Sequence, residues 1–178
     1  MHNSVSGEFR IGASSTISQY VIPKIIASFH KRYPKISIYL INGNSFEMER
    51  QLEENIIDIA LVENITSQPG ISYRDFLEDE LIVVAGKDSV YAKQNTISKE
   101  DLIKIPIVLR EQGSGTLDVI RNSLAQQNIN IENLNTLIHL GSTESIKNFL
   151  QEFDGLAIVS EKAIINELYL KTLVKIRV

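Results

Sequence analysis

The chain has 178 residues, 43% of them hydrophobic, and its 18 basic and 22 acidic side chains give a formal net charge of -4. This composition is normal for a protein with a sizeable core and excludes a disordered chain. The acidic balance argues against a nucleic-acid-binding surface, which needs a concentrated basic face. Because no apolar run approaches the roughly 20 residues that span a membrane, and MHNSVSGEFR lacks the regions of a signal peptide, a cytoplasmic protein is predicted.

In the first half of the chain, short apolar runs alternate with helical patterns, as in parallel sheets with crossover helices. FRIGAS (9–14), ISIYLIN (36–42) and IDIALV (57–62) predict strands, and IDIALV is apolar enough for burial on both faces. Apolar residues at every fourth position from 17 to 29 predict a helix from Thr16 to about Tyr33, which Pro34 ends. SFEMERQLEEN (45–55) predicts a second helix, and residues 72–86 predict extended structure that runs into a strand.

A second series begins near Lys87. Ser98, followed by Asp101, predicts the start of a short helix. Strands are predicted at 105–110, 136–140, 156–160 and 173–178, and helices at 116–127, about 142–151 and 161–170. The predicted fold is α/β with two Rossmann-like lobes: lobe I from 1–86 plus 161–178, and lobe II from 87–160. Any hinge is expected near 85–88 and 158–161.

Several kinds of site lack their motifs. Cysteine is absent, which excludes disulfides and thiolate chemistry. His2, His30 and His139 are far apart, so no metal is predicted and structural roles are favoured for the latter two. The Walker loop and GxGxxG patterns are incomplete, so no nucleotide cofactor is predicted.

Catalysis is disfavoured as well. GASST lacks the second glycine of a GxSxG elbow, and no histidine can be assigned as the base for a serine. Glu63 and Glu111 could form a carboxylate pair, but roles as hydrogen-bond acceptors or gate residues are favoured. We therefore predict that the chain is not an enzyme.

Polar residues and glycines follow four of the predicted strands. They are Ser14-Ser15-Thr16, Asn42-Gly43-Asn44, Glu111 with Gly113-Ser114-Gly115-Thr116, and Gly141-Ser142-Thr143. Such residues cap helices by accepting hydrogen bonds from first-turn amides, and the same amides attract anions. Each junction alone fits capping better than ligand binding, but four together favour a shared anion-binding cleft at the carboxyl ends of the strands.

In the order and spacing of these pieces, the chain resembles the effector-binding domain of LysR-type transcriptional regulators over nearly its whole length. The matching pieces are GEFRIGASSTISQYVIPKIIASFHKRYP, INGNS, IDIALVE, LREQGSGT, LGSTESIK and DGLAIVS, and the loop is similar to that of the GSGTR-like branch. The resemblance implies a fold like that of type 2 periplasmic binding proteins, with a small, often anionic metabolite in the cleft between two lobes. It also implies homodimers, formed through the first helix and the second lobe, and higher oligomers of the full-length protein.

The resemblance further implies a set of effector contacts. Carried to this sequence, these contacts are Ser14, Ser15, Thr16, Asn42, Asn44, Glu63, Gly113, Ser114, Gly115, Thr116, Ser142 and Thr143.

The chain departs from the family pattern at three places. The winged helix-turn-helix that binds DNA is missing before Gly7, so operator binding by this chain alone is not expected. Leu117 stands where the branch has arginine, which removes a candidate charge for an anionic effector. Phe153 and Asp154 occupy the place of a common GxG pattern, and the chain stops at Val178, before the final strand and helix of many relatives.

The predicted function is that of a regulatory domain that senses a small, anionic effector and transmits the change to a DNA-binding domain. Two alternatives share the scaffold. One is a solute-binding protein for uptake of a small anion, and the other, which is disfavoured, is an enzyme.

Overall fold

A computed structural model of the chain describes residues 5–63, 67–94 and 96–178. Residues 1–4, which include His2, lie outside the described residues. The elements in chain order are β1 (Gly7–Ser14), a π-helical segment (Ile17–Val21), α1 (Ile22–Arg32), β2 (Ile36–Gly43), α2 (Ser45–Glu53), β3 (Ile59–Leu61), β4 (Leu81–Gly86), a 3-10 turn (Val90–Lys93), α3 (Lys99–Lys104), β5 (Ile107–Arg110), α4 (Gly115–Gln126), a 3-10 turn (Ile131–Asn133), β6 (Thr136–Leu140), α5 (Thr143–Leu150), β7 (Leu156–Ser160), a 3-10 turn (Glu161–Ala163), α6 (Ile165–Leu170) and β8 (Leu173–Ile176).

The chain divides into two compact units, and the division differs from the predicted lobes. Unit 1 contains the residues up to Asp75 together with Gly113–Gly115, and unit 2 contains Phe76–Gln112 and Thr116–Val178. Residues 76–86 and 161–178, assigned to lobe I from the sequence, thus belong to unit 2. The physical reason is strand pairing, because β4 and β8 hydrogen-bond to each other and β4 also pairs with β7.

Unit 1 is built on a parallel three-stranded sheet with the order β2-β1-β3. The second half of the central strand β1 is buried. Its Gly12 allows α2 to pack closely, because a Cβ there would lie 2.9 Å from Met48 Sδ and would overlap the Ile57 side chain. Met48 and Ile57 are buried, so the core of unit 1 lies against this face of β1.

The helix predicted after β1 is present, but its first part is π-helical. The Ile22 amide donates to the Ile17 carbonyl, five residues earlier, which is the hydrogen bond that defines a π-helix. Pro23 follows in the first turn of α1, where its missing amide costs no intrahelical hydrogen bond. The wide turn therefore directly follows the Ser14-Ser15-Thr16 junction.

The strand β3 departs from the prediction of burial on both faces, which is wrong. β3 covers only Ile59–Leu61, and Ile59 is 42% exposed. Among the described residues it pairs only with β1, so it is an edge strand. The apolar run IDIALV indicated a strand correctly, but hydrophobicity alone did not indicate whether the strand has one neighbour or two.

Unit 2 is built on a five-stranded sheet with the order β6-β5-β7-β4-β8. β5 pairs in parallel with β6 and β7, whereas β4 runs antiparallel to β7 and β8. The sheet is therefore mixed, which departs from the predicted parallel pattern. β7 and β8 flank β4 on its two sides, so the α6 crossover returns the chain parallel to β7 and opposite to β4.

Most of the remaining strands and helices confirm the sequence prediction, but the helix predicted at 161–170 is divided into a 3-10 turn (Glu161–Ala163) and α6 (Ile165–Leu170). The strands predicted at 136–140 and 156–160 match β6 and β7 residue for residue. Ser98 caps α3, since its hydroxyl accepts from the Asp101 amide. In the described ranges, no helix has both the length and the apolar character needed to cross a membrane.

Candidate functional site

The first group of candidate residues is the turn after β1. Ser14, Ser15 and Thr16 are only 3%, 4% and 2% exposed. Among the described residues, neither Ser14 Oγ nor Thr16 Oγ1 has a hydrogen-bond partner. A buried hydroxyl without a partner costs about 1–3 kcal/mol, and such a group in a native structure calls for an explanation. A ligand oxygen that accepts from these hydroxyls would remove that cost.

Asn42 supports the same turn from the neighbouring strand. β1 and β2 pair so that Ala13 lies opposite Asn42. The Ser18 hydroxyl lies 2.8 Å from Asn42 Oδ1 and 3.0 Å from the Ser15 carbonyl oxygen, and it can donate to either. The Asn42 side-chain oxygen is thus used to hold the start of the helix, and the predicted site residues Ser15 and Asn42 are linked through Ser18.

Asn44 and the GSG loop also lie together in unit 1. Asn44 Oδ1 accepts from the Glu47 amide at 2.9 Å, so Asn44 is a helix cap. Gly113 has a φ of +83°, which favours glycine, and a Cβ there would lie 3.2 Å from Asn44 Nδ2. The Phe46 amide donates to the Gly113 carbonyl at 3.3 Å. The loop is therefore fixed against the start of α2.

Glu63 contributes to this arrangement through its backbone. Its carbonyl accepts a hydrogen bond of 3.0 Å from the Ser45 hydroxyl. Gly115 packs so closely that a Cβ would overlap the Glu63 carbonyl oxygen and lie 2.5 Å from Ser45 Oγ. Ser114, between the two loop glycines, is 2% exposed. The small residues of GSG thus permit close backbone packing in unit 1.

In unit 2, the most distinctive polar group is a buried arginine that the sequence prediction of the site did not include. Arg110 ends β5 and is 2% exposed. Its Nε and Nη2 atoms donate to the two carboxylate oxygens of Glu111 at 2.8 and 3.0 Å. Its Nη1 atom donates to Thr143 Oγ1 at 3.5 Å. A charged residue that ends the apolar strand IPIVLR was the signal that could have identified it.

The junction after β6 combines a cap with a buried hydroxyl. The Ser142 hydroxyl accepts from the Ser145 amide at 3.1 Å, so it caps α5. Thr143 is 2% exposed and contacts Arg110. Thr116, the second residue of α4, is also 2% exposed. Helix capping therefore explains a serine at position 142. Thr143 differs, because its hydroxyl is buried beside Arg110.

Ser160 is a further buried hydroxyl that the sequence did not indicate. It is 1% exposed, and within the described part of the chain its Oγ has no hydrogen-bond partner. It ends β7, which runs parallel to β5, so it lies at the same carboxyl edge of the sheet as Arg110. In the sequence, its place in LAIVS indicates only the end of a strand.

Two of the departures from the family pattern have local explanations. Leu117 is 1% exposed and packs in the core of unit 2, which accounts for an apolar residue there. The Asp154 carboxylate accepts from the Val90 amide at 3.0 Å. A Cβ at Gly155 would lie 2.5 Å from the Pro106 carbonyl oxygen, so this one glycine of the pattern is needed for packing.

The titratable groups with clearly shifted pKa values lie outside these junctions. In unit 1, the hydrogen bond from the Arg10 guanidinium lowers the pKa of Asp58, and a bond from the Arg10 amide acts in the same direction.

His139 Nδ1 lies 2.8 Å from the Arg110 carbonyl oxygen, which fits the structural role predicted for His139. In the described ranges, no group of three or more acidic or histidine side chains is arranged to hold a metal ion.

The predicted site residues thus form two groups. Unit 1 holds Ser14, Ser15, Thr16, Asn42, Asn44, Glu63, Gly113, Ser114 and Gly115. Unit 2 holds Thr116, Ser142 and Thr143. Direct contacts link Gly113 to Asn44 and Gly115 to Glu63, and Arg110 joins the second group through Thr143. Their roles as ligand contacts stay a prediction.

Comparison with known proteins gives a consistent result over the whole chain. The LysR substrate binding domain matches residues 2–178. The chain is 33% identical over 171 residues to a probable RuBisCO transcriptional regulator of Thalassiosira pseudonana, covering 93% of the chain and 56% of the relative. It is 32% identical over 173 residues to the HTH-type transcriptional regulator YeiE of Escherichia coli, covering 97% and 58%. The chain thus spans somewhat more than half the length of these curated relatives.

Solved structures with the same fold include two with small molecules. The regulatory domain of Synechocystis CcmR, in complex with 2-PG, aligns with a TM-score of 0.83 and 24% identity over 96% of this chain and 80% of that one. The effector-binding domain of QuiR, in complex with shikimate, aligns with a TM-score of 0.84 and 18% identity over 98% and 81%. The predicted fold class, α/β and like that of type 2 periplasmic binding proteins, is confirmed by these likenesses.

Proposed function

The chain belongs to the family of LysR substrate binding domains, and from that premise we propose that it binds a small, anionic effector and passes the change to a DNA-binding domain. The proposed contacts are the hydroxyl groups of Ser14, Ser15 and Thr16 in unit 1, with Ser114, and of Thr116 and Thr143 in unit 2. Asn42, Asn44, Gly113, Gly115 and Ser142 support the backbone around these groups, and Glu63 anchors the loop. Effector binding acts by a population shift, so the effector must bind one arrangement of the domain better than another.

The observation that carries this proposal is that two neighbouring buried hydroxyls at the end of β1, Ser14 Oγ and Thr16 Oγ1, have no hydrogen-bond partner among the described residues. Of the polar junctions predicted from the sequence, those at Asn44 and Ser142 use their side chains as helix caps. The turn after β1 does not, since Thr16 makes no side-chain cap bond. The Ser14 and Thr16 hydroxyls are therefore available as donors to an oxyanion, and such charge-assisted hydrogen bonds are short and strong.

The relatives support the anionic character of the effector. CcmR is complexed with 2-PG and QuiR with shikimate, and shikimate is a carboxylate. The two solved relatives are complexed with different molecules, so we propose a chemical class of effector, a small carboxylate or oxyanion, and no single metabolite.

We propose that the complete protein regulates transcription. The named relatives are transcriptional regulators, which favours regulation over uptake of a solute or catalysis. We place DNA binding in a helix-turn-helix domain rather than in these residues, which have a net charge of -4. A homodimer is proposed because Ile25 on α1 and Tyr39 and Leu40 on β2 are 45%, 50% and 38% exposed, which leaves apolar surface for a partner. A cytoplasmic location follows from such a role.

Calorimetric titration with 2-PG, shikimate, inorganic sulfate and inorganic phosphate tests the proposal. At least one anion should bind the wild-type chain, and Thr16→Val should weaken it by about tenfold or more, because one hydrogen bond to a charged group contributes about 1.5–3 kcal/mol. Ser37→Ala, at an exposed hydroxyl on β2, is the control and should leave the affinity unchanged. Equal affinities for the wild type and Thr16→Val would exclude Thr16 from the site.

A further inference from the structure

Unit 2 contains a cavity of about 280 Å³ beside the edge strand β6. Its walls come mainly from α4, from the 3-10 turn at Ile131–Asn133 and from β5 and β6. None of the described residues that line it is a proposed effector contact, and all of them belong to unit 2. At roughly 30 Å³ for each water molecule, the cavity holds about nine waters, which is the space that a small metabolite needs.

The buried part of the lining is apolar. Leu109 and Leu117 are each 1% exposed, Leu134 is 6% exposed, and all three belong to the hydrophobic core of unit 2. An apolar group of a ligand would lose its contact with water there, which is favourable in proportion to the area that is buried. The cavity therefore favours a ligand with an apolar body.

The exposed part of the lining carries two opposite charges. Arg121 lies one helical turn after Leu117 on α4, so both side chains lie on the same face of the helix. The Arg121 side chain is 39% exposed, and its Nη1 atom donates to Asp118 Oδ1 at 2.6 Å. A guanidinium has five N–H donors, so this bond leaves donors for a ligand. Glu132 supplies the opposite charge from the 3-10 turn.

The balance of charge at the cavity argues against a simple anion. Asp118 already compensates Arg121, and Glu132 would repel a second carboxylate. His139 Nδ1 lies 2.8 Å from the Arg110 carbonyl oxygen, which can only accept, so Nδ1 carries the hydrogen and Nε2 of the neutral ring is an acceptor. Glu132 and His139 thus offer acceptors to a positive group, whereas Arg121 offers donors to a negative one.

We propose that this cavity is a second ligand site, which binds a free α-amino acid with an apolar side chain. Arg121 donates to the ligand carboxylate, Glu132 and His139 accept from its ammonium group, and its side chain packs on the buried leucines. The ligand is a zwitterion, whereas the proposed effector is an anion, and the two bind at different places in the chain. A molecule with only one of the two charges binds poorly.

The test uses L-leucine as the probe, titrated into the isotope-labelled chain and followed by two-dimensional amide NMR. The largest shifts should fall on α4, the 3-10 turn and β6, which line the cavity. Leucinamide lacks the carboxylate and N-acetyl-leucine lacks the ammonium group, and each should bind about tenfold more weakly than leucine, because each loses a charge-assisted contact. Equal binding of leucine and either analogue would overturn the assignment to a zwitterion.

Two variants locate the site. Arg121→Gln should weaken leucine binding about tenfold, whereas Arg74→Gln, an exposed position in unit 1, makes the same change of net charge and should leave the affinity unchanged. Thr136→Phe places a ring in the cavity and should abolish leucine binding. If Thr136→Phe does not fold, the partly exposed Arg121 still decides. Unchanged leucine binding by Arg121→Gln, or no shifts with leucine, isoleucine or methionine, would overturn the proposal.

The effector site and the cavity fail separately. Thr16→Val should bind leucine as the wild type does, and an anion that binds at the turn after β1 should not compete with leucine. Weaker leucine binding by Thr16→Val, or competition between the two ligands, would overturn the second site and leave the proposed function intact. Leucine binding at the cavity without any anion binding would overturn the proposed effector site alone.

Discussion

Replacement of Thr16 by valine and of Ser142 by alanine should change the stability of the unliganded chain in opposite directions. Both side chains belong to polar strand-to-helix junctions that look alike in the sequence. Thr16 Oγ1 is buried and, among the described residues, has no hydrogen-bond partner, whereas the Ser142 hydroxyl accepts from the Ser145 amide. The Thr16 hydroxyl thus lowers the free energy of unfolding, and the Ser142 hydroxyl raises it.

The magnitudes follow from these contacts. Valine has nearly the same shape as threonine, so Thr16→Val removes the unpaired hydroxyl without leaving a cavity and should raise the free energy of unfolding by about 1 kcal/mol. Ser142→Ala removes a helix cap and should lower it by about 1 kcal/mol. The two variants should therefore differ by about 2 kcal/mol, or roughly 30-fold in the folding equilibrium constant.

Urea titration followed by circular dichroism measures both values, on protein dialysed free of small anions. The dependence on urea should be the same for both variants, so that the shift in midpoint reports stability alone. Ser14→Ala, which removes the neighbouring unpaired hydroxyl but leaves a small void, should have a free energy of unfolding close to that of the wild type. A loss of 1 kcal/mol or more in Thr16→Val would show that its hydroxyl has a partner in solution and would refute the reasoning.

Three further predictions concern stability. Gly115→Ala should cost about 1–3 kcal/mol in urea titration, because its Cβ would overlap a backbone carbonyl, whereas Gly141→Ala, with nothing within 4 Å of the added Cβ, should be tolerated. Asp58→Asn should be less stable than the wild type near neutral pH, and the difference should vanish as pH falls through the lowered pKa of Asp58; this carboxyl normally titrates at 3.8 and contributes only while ionised. A difference that persists at lower pH would contradict this. Lys147→Met should lower the free energy of unfolding by about 3 kcal/mol, because the buried Lys147 ammonium forms ion pairs of 2.7 and 2.8 Å with Glu144 and Glu167. Thermal unfolding no different from that of the wild type would contradict this prediction.

The sequence predicted local structure well because local rules decide it. The strand and helix at Thr136–Leu140 and Thr143–Leu150 followed from apolar periodicity and a serine cap, which depend on neighbouring residues only. The pairing of β4 with β8 did not follow, because it joins residues about 90 positions apart and depends on the whole path of the chain. The predicted division into lobes differed for this reason.

The candidate site shows the same limit. Serine, threonine and asparagine at a junction predict either a cap or a ligand contact, and only the position of the side-chain oxygen distinguishes the two. The Ser142 hydroxyl accepts a hydrogen bond from the Ser145 amide, whereas the Thr16 hydroxyl makes no such cap. The sequence also did not single out Arg110, because burial of its guanidinium cannot be inferred from the residue type alone.

A crystal structure of the chain with the anion that binds most tightly among 2-PG, shikimate, sulfate and phosphate tests the central claim most directly. The account predicts ligand oxygens within hydrogen-bonding distance, about 2.5–3.0 Å, of Ser14 Oγ and Thr16 Oγ1. A bound anion that leaves both hydroxyls without a partner would contradict it.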